Sequence, residues 1–170
     1  MKKLFMILPL VFLLCFTFGC QKAEEVVEKP VVDVTADVEA IKDFLDSYTS
    51  TIEAGDLDAW VDHLDEDIVA MPPNEATVKG KEVLRQWGQP FFEQFNQEEL
   101  VTIKETEVSG NWAFARLPYT LKLTPKGGGE TFQANGKAIY IFKRQADGTW
   151  KAWRVIWNGN DPLPVLPEKK

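Results

Sequence analysis

The spacing of the apolar residues changes near residue 95, and this change constrains the fold more than any other feature of the chain. From Val38 to Ile52 apolar side chains recur at steps of three and four residues, which places them on one face of an α-helix. From Ala113 to Leu123 they occupy alternate positions, the pattern of a half-buried β-strand. Helices followed by strands predict an α+β fold, with a curved antiparallel sheet and about three N-terminal helices packed on its concave face.

Three helices are predicted ahead of the sheet. The first runs from about residue 37 to residue 54 and stops at Gly55, and Asp56 then caps the second. The third begins near residue 80. Gly88 and Pro90 are expected to kink or end it, because proline lacks the backbone N–H that a helix interior needs.

The first twenty residues have the composition of a targeting segment. Lysines 2 and 3 precede an almost entirely apolar run from residue 4 to residue 18, which is too short to span a bilayer comfortably and is typical of a secretory signal. The run ends in Gly19-Cys20, and this ending resembles the bacterial lipobox. The resemblance implies cleavage before Cys20, lipid attachment to its thiol, and an extracytoplasmic place in the bacterial cell envelope, in the outer membrane if the source is Gram-negative.

These features divide the chain into four parts. The predicted signal peptide covers residues 1–19, the lipidated Cys20 and a tether cover 20–36, one folded domain covers 37–162, and a proline-rich tail covers 163–170. Two or more acyl chains on Cys20 would hold the protein stably at a membrane, where one chain binds reversibly.

Composition argues against several classes of function. The 170 residues include 19 basic and 26 acidic ones, and the net charge of −7 argues against nucleic acid as a partner, since that binding depends on Lys and Arg at the phosphates. One histidine and two cysteines, both cysteines within the first twenty residues, leave no basis for a zinc cluster or a disulfide framework. We therefore expect no cofactor, no resident metal and no redox chemistry.

The order of several short motifs resembles that of a known superfamily. Ala54-Gly55-Asp56 joins the first two helices, Asp65-Glu66-Asp67 precedes a short strand that ends before Pro72, and Gly80-Lys81-Glu82 opens the third helix. An Asp147-Gly148 turn joins the last two strands. In this order the motifs resemble the SnoaL-like branch of the nuclear transport factor 2-like superfamily, which also contains ketosteroid isomerases. The resemblance implies a cone-shaped fold whose cavity hosts a small apolar ligand or acid–base chemistry, and often a homodimer through the outer sheet face.

The isomerases of this superfamily move a proton with a carboxylate and hold the developing oxyanion with hydrogen-bond donors. The resemblance places the oxyanion tyrosine at Tyr48, seven residues before Gly55, and the second donor at Tyr140. The proton-transferring aspartate, which precedes a proline, is replaced by Met71, whose thioether takes no proton at neutral pH. The predicted pocket therefore holds two hydroxyls and no carboxylate, and we expect no isomerase chemistry and assign no catalytic residue.

Tryptophans supply the wall of this predicted pocket. Trp153 and Trp157 lie four residues apart on the last strand and share a face, which the family's register turns towards the cavity. Trp60 and Trp87 lie on the helices that would cover the cavity. His63, the only histidine, is a candidate acid or base at the cavity mouth. The alternatives are that the aromatic side chains simply fill the cone and that His63 has no role.

Three functions stay open on these grounds. The first is a lipid-anchored domain that binds a small apolar ligand without covalent chemistry. The second is a SnoaL-like enzyme with a non-standard base, such as His63 or a carboxylate from elsewhere in the chain. The third is a module that meets another envelope protein through its acidic surface and outer sheet face.

Overall fold

The computed structural model of this protein describes residues 34–160, which form three helices and seven strands. The helices are α1 (Thr35–Ala54), α2 (Leu57–Asp62) and α3 (Lys81–Gln94). The strands are β1 (Leu64–Met71), β2 (Val78–Lys79), β3 (Phe95–Val101), β4 (Glu105–Ser109), β5 (Trp112–Pro125), β6 (Phe132–Arg144) and β7 (Trp150–Gly159).

The seven strands form one curved sheet in the order β2-β1-β7-β6-β5-β3, with β4 also paired to β5. All neighbours are antiparallel except β1 and β7, which run parallel; β2, α3 and β3 to β6 lie between them along the chain. The helices precede most of the strands and pack on the sheet, α1 against β3 and α3 against β1. The predicted α+β fold is confirmed, with one parallel pair within the sheet.

Local signals in the sequence explain the first two helix boundaries. Gly55 ends α1 with φ 70°, a left-handed conformation that glycine adopts without a Cβ clash. One residue later the Asp56 carboxylate accepts a hydrogen bond of 2.9 Å from the backbone N–H of Ala59, which caps α2. Helix α1 and helix α2 are therefore joined by a single tight corner. The start of α1, at Thr35, lies two residues before the predicted one.

The third helix does not end at Gly88 or Pro90, because α3 continues to Gln94. Pro90 is exposed, so its ring points away from the sheet, while the neighbouring Phe92 is buried at 7% exposure. Gly88 is needed for packing: a Cβ there would lie 2.9 Å from Cζ3 of Trp60. The burial of this helix face outweighs the missing backbone hydrogen bond of Pro90.

Strand β7 contains a β-bulge that matters for the site. Arg154 pairs with Ile141, but the next pair along β6 joins Phe142 to Ala152, so Trp153 has no partner across this pair of strands. A bulge interrupts the alternation of side chains between the two faces of a sheet. Ala152 before the bulge and Val155 after it both face the core.

The predicted signal peptide at 1–19, Cys20, most of the tether and the tail at 163–170 lie outside the described residues. They stay predictions. Within residues 34–160 no helix has both the length and the apolar character needed to cross a membrane.

Candidate functional site

A cavity of about 250 Å³ lies between the three helices and the concave face of the sheet. Every helix contributes to its wall, as do β1, β3, β5, β6, β7 and the segment that follows β1. For comparison, an engineered apolar cavity of about 150 Å³ holds one benzene molecule. The space therefore suits a molecule somewhat larger than a single aromatic ring.

Aromatic side chains from the helices and from β7 form much of the wall. Trp60 of α2 packs against Phe92 of α3, with ring centroids 5.5 Å apart. Trp87 of α3 meets Trp157 of β7 edge to face, with centroids 5.9 Å apart. The Trp87 indole N–H donates a hydrogen bond of 2.8 Å to the carboxylate of Glu75, an exposed residue that also borders the cavity. The wall is apolar and fixed by ring contacts on several sides.

Two tyrosines place their hydroxyl groups together deep in the cavity wall. Tyr48 of α1 and Tyr140 of β6 are 8% and 7% exposed, and their rings meet edge to face with centroids 5.9 Å apart. The two hydroxyls interact, and this contact lowers the pKa of Tyr48 and raises that of Tyr140. Burial raises both pKa values well above the ordinary one, so both groups are neutral hydrogen-bonding groups at pH 7.

The expectation of a pocket without a carboxylate is wrong, because Glu99 of β3 lines the cavity. Its negative charge contributes to the raised pKa values of both Tyr48 and Tyr140, so it faces the hydroxyl pair. Burial, and to a smaller extent the negative charge of Glu53, raises the pKa of Glu99 to about 7. A carboxyl group that titrates near pH 7 can take up or release a proton under physiological conditions.

Gln97 lies two residues before Glu99 on the same face of β3 and also lines the cavity. It is 9% exposed, and its amide nitrogen has no hydrogen-bond partner among the described residues. A buried donor without a partner costs about 1–3 kcal/mol, so such groups usually meet water or a ligand. Together Gln97 and Glu99 give the cavity one polar wall.

The structure brings five of the eight predicted pocket residues into the cavity lining. These are Tyr48, Trp60, Trp87, Tyr140 and Trp157. Their placement agrees with the expectation, and their role towards a ligand stays a prediction. Met71, His63 and Trp153 do not belong to the lining that the structure describes.

Met71 lies on the other face of β1 from the cavity. Ile68 and Ala70 are fully buried, and because strand side chains alternate, Met71 points away from Ala70. Ala70 and the following Pro72 border the cavity instead.

His63 is used inside the fold rather than at the cavity. It follows the last residue of α2, its Nδ1 lies 2.8 Å from the Ala59 carbonyl oxygen, and its Nε2 lies 3.0 Å from the Ser47 hydroxyl. A neutral ring satisfies both contacts when Nδ1–H donates to the carbonyl and Nε2 accepts from the hydroxyl. Burial lowers the pKa of His63, which favours this neutral form.

Trp153 is turned out of the cavity by the bulge in β7, which the even spacing to Trp157 did not reveal. Its ring contacts Trp112, with centroids 4.6 Å apart, and the Arg154 guanidinium lies 3.4 Å from its ring centroid. It therefore belongs to an aromatic and cationic cluster away from the cavity.

The charges on the cavity wall are all of one sign. Glu75 and Glu99 border the cavity, and no Lys, Arg or His is part of its lining within residues 34–160. In the same range no group of three or more His, Cys, Asp and Glu side chains could hold a metal ion. The arrangement offers hydrogen bonds, a titratable carboxyl group and a negative potential.

The open, cone-shaped sheet with a cavity beneath three helices defines an α+β domain of the nuclear transport factor 2-like architecture. The model of the SnoaL-like domain family matches residues 32–153, and the chain belongs to that family. No curated protein matches the sequence.

Solved structures agree on this architecture. A conserved protein from Planctomyces limnophilus has a TM-score of 0.69 at 23% identity, with 74% of this chain and 98% of that chain covered. A ketosteroid isomerase-like protein from Erwinia carotovora atroseptica has a TM-score of 0.66 at 24% identity, with the same coverage of the two chains. A nuclear transport factor 2-like superfamily protein from Salmonella enterica has a TM-score of 0.63 at 16% identity, covering 80% of this chain and 99% of that one. At these identities the likeness concerns the fold.

Proposed function

We propose that this domain binds a small, largely apolar molecule inside the cavity and holds one polar end of it at the wall formed by Gln97, Glu99 and the two tyrosines. The observation that carries the proposal is the buried, unpartnered amide nitrogen of Gln97 within a largely apolar cavity of about 250 Å³. Pockets of this kind combine apolar walls with a few placed polar groups, which orient the ligand.

Native mass spectrometry of the full chain in lipid nanodiscs tests the proposal, together with quenching of tryptophan fluorescence by small aromatic compounds. Ala134 of β6 lines the cavity, so Ala134→Phe is expected to fill it and to weaken binding. Gln133→Phe changes the preceding, exposed residue of the same strand and serves as the matched control. A cavity that neither retains a co-purified molecule nor binds any member of a compound library in these assays would overturn the proposal.

Glu99 favours a second candidate function, an enzyme that uses this carboxyl group as its acid or base. The carboxyl group has a pKa of about 7 and faces two neutral hydroxyls that can donate to a developing oxyanion. A search with enolisable ketones and small lactones should then find an activity that rises with pH through about 7 and is lost in Glu99→Gln. His63→Ala should leave the pH profile unchanged. An activity that persists in Glu99→Gln would exclude this mechanism.

We also propose that Cys20 is lipidated and anchors the domain at a bacterial envelope membrane. The support is the apolar run that ends in Gly19-Cys20. Metabolic labelling with an alkyne fatty acid, with Cys20→Ser as control, tests it. Labelling of the unaltered chain but not of the variant is expected, and an unlabelled chain that keeps residues 1–19 would refute the proposal.

A homodimer through the outer face of the sheet is a further proposal. Ile139 and Ile156 are paired across β6 and β7, and they are 42% and 47% exposed on the face away from the cavity. Light scattering of the full chain should show a dimer that Ile156→Lys dissociates. A monomer at all concentrations would contradict it.

A further inference from the structure

The negative charges around the cavity limit which charged groups of a ligand its polar wall can bind. Glu99 and Glu75 are the charged residues of the described lining, and Glu53 of α1 adds negative charge near Glu99. Tyr48 and Tyr140, whose pKa values Glu99 helps to raise, keep neutral hydroxyls at pH 7. A carboxylate or phosphate on a ligand would meet repulsion here without a cation to offset it.

The apolar walls of the cavity favour positive charge in a second way. Aromatic rings present negative faces, and a desolvated ammonium group over Trp or Tyr is attracted to them. Trp60, Trp87, Trp157 and the two coupled tyrosines surround the cavity on the helix and sheet sides. A cation that entered would therefore find attraction from the rings as well as from the carboxylate.

The polar contacts place the charged end of such a ligand on β3. Gln97 and Glu99 lie on one face of the strand and both line the cavity. The neighbouring Glu98, on the opposite face, is already paired with Lys122 at 3.1 Å. Glu99 is thus the carboxylate on this strand that is left to meet a ligand.

We infer that the cavity selects a protonated amine attached to an apolar or aromatic body, with the Glu99 carboxylate as its ion-pair partner. This inference rests on the proposed function and specifies the chemical class of its ligand. The ammonium group stabilises the ionised carboxyl group and so lowers its pKa below about 7. Binding of an amine near pH 6 therefore releases protons from Glu99, whereas binding of a neutral alcohol does not.

Three matched compounds test the inference by isothermal titration calorimetry of the full chain in nanodiscs: 2-phenylethylamine, 2-phenylethanol and phenylacetate. We expect the amine to bind at least about tenfold more tightly than the alcohol at pH 8, and phenylacetate to bind most weakly. Affinity for the amine should rise between pH 6 and pH 8, and titrations at pH 6 in buffers of different ionisation enthalpy should show proton release.

Glu99→Gln should remove the preference for the amine over the alcohol. Glu98→Gln, on the other face of the strand, should leave that preference unchanged. Equal affinity for amine and alcohol, or an amine preference that survives Glu99→Gln, would overturn the inference while leaving the proposed function intact. Failure of all three compounds to bind, together with an empty cavity in native mass spectra, would overturn both.

Discussion

Gly136 lies directly opposite Tyr119 in the sheet, and the phenol ring of Tyr119 crosses the space that a Cβ at residue 136 would occupy. The contact joins β6 to β5 at the floor of the cavity, which Tyr119 helps to line. A glycine is required here because of the close approach of the ring. The position of the Tyr119 ring therefore depends on the absence of a side chain at residue 136.

Gly136→Ala should therefore displace the Tyr119 ring and lower the free energy of unfolding by about 1–3 kcal/mol. In a Tyr119→Ala background the same change should be neutral or slightly stabilising, since alanine is otherwise the better strand residue by about 0.5–1 kcal/mol. Urea denaturation of the original protein, the two single variants and the double variant gives the coupling energy between residues 119 and 136. Gly127→Ala, where a Cβ meets no atom within 4 Å, is the control. Equal effects of Gly136→Ala in both backgrounds would contradict the prediction.

Glu99→Gln should change how stability depends on pH. The folded protein holds the pKa of Glu99 at about 7, above the ordinary value of 4.5, so the folded state binds the proton more tightly than the unfolded state. This group therefore favours folding fully below pH 4.5 and loses that contribution as the pH rises towards 7. The variant should be more stable than the original by roughly 2–3 kcal/mol at pH 8, and about equal to it at pH 4.5.

Denaturation at pH 4.5, 6 and 8 measures this difference, with Glu98→Gln as the matched control because its side chain is exposed. The opposite result is that the free energies of unfolding of Glu99→Gln and the original protein differ by the same amount at all three pH values. That result would show that Glu99 keeps an ordinary pKa in the folded state.

The sequence predicts the fold well and the polar wall of the cavity poorly, and β3 shows why. Fold class followed from helical spacing and alternation in long segments, where burial and pattern agree. In β3 the pattern is inverted: Gln97 and Glu99 face the cavity, while Leu100 is 70% exposed. A rule that places apolar residues inside turns the Leu100 face of this strand towards the cavity, and so it misses the Glu99 carboxylate. The apolar Phe95 and Val101, which share a face with Gln97 and Glu99, were the one available signal.

The misplacement of Trp153 has a different cause. Even spacing to Trp157 predicts a shared face only while the strand keeps its alternation, and the bulge at Trp153 breaks it. Nothing in the local sequence marks the bulge, which depends on how β6 and β7 pair. The tryptophans on helices, Trp60 and Trp87, line the cavity, and the period of their helices contains no such break.

Asp65 is expected to contribute more to stability than any exposed carboxylate of the chain. It is 4% exposed, and its oxygens accept hydrogen bonds of 2.9 Å from Gln145 Nε2 and from the Asp67 backbone N–H, with Lys143 Nζ at 3.5 Å. Burial alone would raise its pKa, but these partners lower it overall. Asp65→Ala leaves the partly buried Gln145 donor with only its contact to the Lys143 carbonyl and should cost about 2–4 kcal/mol.

The pH dependence of Asp65 has the opposite sign to that of Glu99. A lowered folded-state pKa gives stability that is present above the ordinary value of 3.8 and is lost as the pH falls below it. The difference in free energy of unfolding between Asp65→Ala and the original protein should therefore shrink as the pH falls from 5 to 2.5. Glu66→Ala, which removes an exposed ion pair to Lys81, should cost no more than about 1 kcal/mol. Equal costs for the two variants would refute this account.

Pro90→Ala should stabilise the protein, because the fold tolerates this proline without needing it. Pro90 lies inside α3 on its exposed side, and the helix continues for four residues beyond it. Proline in a helix interior costs about 3 kcal/mol relative to alanine, and its restriction of the unfolded chain recovers about 1 kcal/mol. We expect a gain of about 1–2 kcal/mol in the free energy of unfolding, measured by urea denaturation. Val83→Ala, at another exposed position of the same helix, should change stability by less than about 0.5 kcal/mol. A loss of stability in Pro90→Ala would mean that α3 bends at this residue to keep Phe92 buried and Trp87 against the cavity.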